Sequence, residues 1–174
     1  TWFERFAPPA QPLGEKAVPF PHGFPFTAGE SSQLDEASEE FAPPSVRFGG
    51  YRLDRSGVPT FLYTAGSWQI EDRIEAIDRE ALSRTWTLRR TAESRSSEDA
   101  DSQTILWCVH AGKQLHRTGP MSMSNEHGLT ARVVRGADGE GKVVDTQSGK
   151  RWLIKLPEDD SATDARAIKL EYRW

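Results

Sequence analysis

From Ser45 to Trp174 the chain alternates apolar and polar residues in short runs, most of them closed by Gly, Asp or Ser. The clearest stretch is Phe48-Gly49-Gly50-Tyr51-Arg52-Leu53-Asp54-Arg55-Ser56-Gly57-Val58-Pro59-Thr60-Phe61-Leu62-Tyr63. Alternation on both sides of Asp54-Arg55-Ser56-Gly57, which is turn chemistry, predicts a β-hairpin. The same grammar predicts strands at 45–54, 58–64, 67–73, 84–91, 103–110, 127–135, 142–146, 150–156 and 165–173. Turns are expected at Ala65-Gly66, Ala111-Gly112-Lys113, Ala137 to Gly141, Ser148-Gly149-Lys150 and Glu158 to Thr163. The closing strand puts Arg166, Ile168, Leu170, Tyr172 and Trp174 on one face and Ala165, Ala167, Lys169, Glu171 and Arg173 on the other. Many short strands without a long repeat period predict an all-β domain, an antiparallel sandwich or a partly open barrel.

Two segments break the pattern. Ile70, Ile74, Ile77 and Ala81 recur at helical spacing, and Glu71 to Leu82 is rich in helix formers. A short helix therefore competes with strand at 70–82, although Trp68-Gln69 and Arg84 to Leu88 on either side favour strand. Residues 1–44 carry eight of the 11 prolines, and Glu30 to Glu40 is acidic and Ser-rich. Proline is unwelcome in helix interiors and central strands, so 1–44 reads as a Pro-rich extended arm or linker before a sandwich domain at 45–174. Phe20-Pro21-His22-Gly23-Phe24-Pro25-Phe26 would either strap the domain surface or form part of a tether. Ala92 to Ser102 is polar and acidic and reads as a loop. A chain that opens on Thr1 reads as a piece of something longer.

Composition narrows the partners. The net charge is −4, and the 22 basic residues are scattered, which argues against nucleic acid. No apolar run is long enough for a membrane-spanning helix, so no membrane insertion is expected. The single Cys108 cannot form an internal disulfide, and its apolar neighbours Leu106, Trp107 and Val109 suit a buried thiol better than a nucleophile.

Candidate chemistry is sparse. Gly136-Ala137-Asp138-Gly139-Glu140-Gly141-Lys142-Val143 nearly spells a phosphate-binding loop, but Val143 replaces the hydroxyl residue and the segment continues as strand. A hairpin turn is the better reading. His110, His116 and His127 lack metal-ligand spacing, and Asp159, Asp160 and Asp164 lack the order of a calcium loop, so no metal is expected. No catalytic motif with a local signature is present, and no catalytic residue is assigned. Trp68, Trp86, Trp107 and Trp152 fall in predicted strands, where indoles are usually core. On an open strand face they would instead be sugar-stacking platforms. Trp107, His110, Lys113 and His116 form the candidate ligand-binding set, with Lys113 placed to hold a sugar-acid carboxylate.

Four segments in order carry a resemblance: Phe48 to Asp54 with Gly57 to Phe61, Arg84 to Leu88, Leu106 to Lys113, and Glu171-Tyr172-Arg173-Trp174. Residues 45–174 resemble a β-rich module of large secreted planctomycete-type proteins, which join such modules to c-type cytochrome domains and sugar-dehydrogenase-like propellers. With one Cys this chain cannot attach haem through Cys-x-x-Cys-His, so no cofactor is expected here and haem c would sit on a neighbouring domain or chain. The resemblance implies an extracytoplasmic setting, periplasmic or secreted. It also implies a non-catalytic accessory or docking module of a cytochrome-containing oxidoreductase, with sugar oxidation as the context and the parent's other domains or chains as partners. The alternatives are a carbohydrate-binding module and a small carbohydrate-active hydrolase or lyase using carboxylates and His.

Overall fold

Tyr172 shows how the domain is built: its ring is buried in the large sheet, and its hydroxyl donates to the Val109 carbonyl of the facing sheet at 2.9 Å. The computed structural model describes residues 26–29, 46–66, 68–91, 104–146, 149–155 and 165–174. They form twelve strands: β1 Phe26–Gly29, β2 Val46–Leu53, β3 Pro59–Ala65, β4 Trp68–Asp78, β5 Ala81–Arg90, β6 Thr104–Gly112, β7 Leu115–Gly119, β8 Ser122–Asn125, β9 Thr130–Arg135, β10 Asp138–Thr146, β11 Gly149–Lys155 and β12 Ala165–Arg173. A four-stranded sheet runs β1-β6-β11-β10, and an eight-stranded sheet runs β2-β3-β4-β5-β12-β9-β8-β7. Every pairing is antiparallel. The outer strands of the large sheet, β2 and β7, do not pair with each other. The arrangement is a sandwich and not a closed barrel.

Between the sheets lies one core. Trp86, Leu88, Ile168, Leu170 and Tyr172 from the large sheet meet Trp107, Val109, Trp152 and Ile154 from the small one. The period-two reading of the last strand holds, with Ile168, Leu170 and Tyr172 buried and Lys169 and Arg173 exposed. Trp86 packs edge-on against Trp107, their ring centres 5.9 Å apart. Trp68, at the rim, lies near two guanidinium groups, those of Arg90 and Arg166 at 5.3 and 5.2 Å.

Segment 70–82 is strand and turn, not helix. Ile70 opposes Leu88 and Ile74 opposes Arg84 across the β4–β5 hairpin. The buried alternation Trp68, Ile70, Asp72 outweighs the helix propensity of Glu71 to Leu82, because tertiary burial overrides weak local preference. The Gly136 to Val143 stretch enters β10, pairing irregularly with β11 between Asp138 and Lys142. Within the Pro-rich stretch, Phe26–Gly29 pairs with β6 as an edge strand. His22, Ala92 to Ser102, Ser148, and Asp159, Asp160 and Asp164 lie outside the described residues.

Candidate interaction face

The hairpin of β2 and β3 turns on Asp54. Its Oδ1 accepts the amides of Ser56 and Val58 at 2.8 and 2.9 Å, and Gly57 closes the turn at φ +78°. Arg73 on β4 donates to the other oxygen at 2.7 Å and holds the Asp54 carboxyl below its ordinary range. This anchors the edge of the large sheet to its third strand.

Along β2 the pairing shifts by one residue. Phe48 opposes Tyr63, but Gly50 opposes Leu62, so Gly49 is the extra residue of a β-bulge and Gly50 takes φ +110°. After the bulge Tyr51 opposes Phe61 and Leu53 opposes Pro59. Val46, Phe48, Tyr51 and Leu53 consequently share one face, the face that carries Ile70 and Trp86 farther in. They are 38, 56, 62 and 58 % exposed. Phe48 packs on Tyr63 at 5.5 Å and Tyr51 on Phe61 at 6.2 Å, and Tyr63 stacks on Trp86 at 6.4 Å. An aromatic row thus runs from the outermost strand into the core. Among the described residues β2 is hydrogen-bonded to β3 alone.

Charged residues line the opposite face of the same strands. Arg52 reaches Glu71 at 2.7 Å, and Arg89 meets the other Glu71 oxygen at 3.4 Å. Arg52, Asp54, Thr60, Glu71, Arg73, Thr85 and Thr87 surround a depression of about 220 Å³. On the core side, Asp72 is buried and takes both Nε and Nη2 of Arg84. The Arg84 guanidinium sits 4.4 Å from the Trp86 ring centre. Burial works against its charge, but the Asp72 carboxylate outweighs that and raises its pKa further. Asp54, Glu71 and Asp72 are all engaged by arginines, which suits ion pairing and not proton transfer.

The four residues marked from sequence are divided between interior and surface. Trp107 and His110 are buried, at 1 and 0 % exposure, while Lys113 and His116 are exposed. Trp107 faces Trp86 in the core and offers no ring to a sugar. His110 Nε2–H donates to the Leu129 carbonyl at 2.9 Å, while Nδ1 meets no hydrogen-bond partner among the described residues, and burial lowers the imidazole pKa. Trp68, Trp86 and Trp152 are likewise buried, so none forms an open platform. Near Lys113 the organising group is Glu126, whose two oxygens accept the amides of Lys113 and Gln114 at 3.0 and 3.1 Å. The Lys113 amide bond, helped by that of Gln114, brings its pKa down to about 2. Burial of Cys108 pushes its thiol up to about 11, leaving it protonated and unreactive. Among the described residues no three His, Cys, Asp or Glu side chains gather as a metal site.

Phe48, Tyr51 and Leu53 belong to no motif that marks a candidate site in the sequence. The signal was present in Gly49-Gly50, because paired glycines inside a strand mark a bulge. The chain matches no family model, no curated protein and no solved structure.

Proposed function

We propose that this chain is a non-catalytic docking module of an extracytoplasmic redox protein, and that the β2 edge is its contact surface. The observation that carries the docking part is the row Val46, Phe48, Tyr51 and Leu53 on a terminal strand. Proteins normally blunt such edges, because unpaired amides beside exposed apolar side chains recruit another chain. The setting rests on the resemblance to modules that accompany c-type cytochrome domains. Commitment of Asp54, Glu71 and Asp72 to arginines supports a binding role over a hydrolytic one.

The experiment is calorimetric titration of the chain with domains encoded beside it, a cytochrome domain first. Saturable binding with a negative heat-capacity change is expected, and Phe48→Glu with Tyr51→Glu should abolish it. Binding that survives the double variant, or none to any neighbouring domain, refutes this surface as the contact with them.

A second reading is carbohydrate binding in the depression beneath Arg52, Glu71 and Arg73. Planar charged groups beside Thr60, Thr85 and Thr87 suit the vicinal hydroxyls of a neutral sugar. Titration with neutral oligosaccharides should then shift the Thr85 and Thr87 amide resonances saturably. Unmoved resonances reject it.

A further inference from the structure

The β2 edge is complementary to itself. Before the bulge the residues on the core-side face are Val46 and Phe48, and after it they are Tyr51 and Leu53. These positions are symmetric about the Gly49–Gly50 bond. An antiparallel copy of β2, related by a two-fold axis through that bond, therefore pairs Phe48 with the partner subunit's Tyr51. It also pairs Val46 with the partner subunit's Leu53. All four exposed apolar side chains meet apolar side chains on one face, and a register shifted by one residue would place them against charges. Arg47, on the other face, lies opposite the partner subunit's Arg52 and diagonal to the partner subunit's Asp54. Arg52 is already paired with Glu71 at 2.7 Å, which lessens the like-charge cost, and Asp54 is itself held by Arg73 at 2.7 Å, so this face adds little attraction and the apolar face carries the pairing.

We propose that a second copy of this chain occupies the edge, the two β2 strands joining the large sheets into one continuous sheet of two subunits. This rests on the reading of β2 as a docking surface and puts a second copy there, in competition with any neighbouring domain for the same edge. An eight-residue edge is a small interface, so the association should be reversible and concentration-dependent.

The axis makes a specific geometric demand. Gly49 and its symmetry mate are offset by one residue along the strand and one strand spacing, about 6 Å between Cα atoms. That lies within disulfide reach. A Cβ at Gly49 meets only ordinary contacts, the nearest being the Leu62 carbonyl oxygen at 3.5 Å. Gly49→Cys should therefore form a disulfide-linked dimer under mild oxidation. Arg55→Cys, whose copies lie more than ~25 Å apart in this register, should not. The half-buried native Cys108, whose thiol stays protonated, should not interfere.

Sedimentation velocity on the full chain from about 5 to about 300 µM should show monomer passing to dimer. Phe48→Glu with Tyr51→Glu should weaken that association at least tenfold, with circular dichroism unchanged. A monomer at every concentration overturns the proposal. So does a dimer indifferent to the double variant, or one that Gly49→Cys fails to trap. If self-association fails while a neighbouring domain still binds through Phe48 and Tyr51, the docking reading stands with a different occupant. If both fail, both readings of this edge fall.

Discussion

Asp72 on β4 and Arg84 on β5 meet diagonally through two parallel hydrogen bonds of 2.9 and 2.8 Å, beside the indole of Trp86, which is the residue opposite Asp72. Asp72 is 1 % exposed and the Arg84 side chain 27 %, so the pair closes the interior where the aromatic row enters it. A forked arginine–carboxylate pair accepts one geometry, and it fixes the hairpin register that brings Ile70 opposite Leu88.

Removing one partner should be costly. Asp72→Ala leaves a guanidinium against Trp86 without its anion, and chemical denaturation should show a loss of about 2–3 kcal/mol. That is below the usual cost of breaking a fully buried pair, because solvent reaches part of Arg84. Asp72→Ala combined with Arg84→Met should recover much of the loss.

Trp107→Ala should destabilise the protein by about 3–5 kcal/mol, since it empties a fully packed site against Trp86. Titration of the folded fraction with oligosaccharide should be unaffected, because the ring is not at the surface. A stable variant that has lost sugar affinity would contradict the burial.

His110 sets a pH dependence. Its pKa is lowered in the folded state, so below the ordinary value of 6.5 the unfolded chain takes up the proton first and stability falls as pH falls. Glu126 acts in the same direction lower down: its stabilisation is complete above the ordinary 4.5 and is lost as pH falls towards about 2. Thermal melts should show a first decline beginning near pH 6.5 and a second below 4.5. His110→Asn should remove the first decline and keep the second.

Gly136→Ala should unfold the end of β9. The added Cβ would overlap the Ala167 carbonyl oxygen, and the backbone sits at φ +87°. A loss above ~2 kcal/mol is expected in denaturant titration.

The strands that sequence made legible are those whose alternation serves one buried face. β2, β3, β11 and β12 fall within two residues of their expected bounds. β7 and β8 escaped because Leu115–Gly119 and Ser122–Asn125 are short and polar, with only Met123 and Asn125 buried. Their signal lies in the ladder, which composition does not encode. The candidate ligand set failed to assemble for a related reason. Alternation places a residue on one of two faces but does not say which face the second sheet covers, and both Trp107 and His110 are covered. The edge patch was hidden by the opposite error: Phe48, Tyr51 and Leu53 look like core in sequence, and only strand order shows them at the end of a sheet.

Strand order also sets a timetable for assembly. β12, the last of the twelve strands, lies in the middle of the large sheet, hydrogen-bonded to β5 on one side and β9 on the other. Until it arrives, the β2–β5 meander and the β7–β9 meander have no ladder joining them. Among the described residues, the segment 165–173 is thus the ladder that joins the two half-sheets. Any state that lacks β12 exposes the inner edges of β5 and β9, far from the β2 edge that the described residues leave at the end of the sheet.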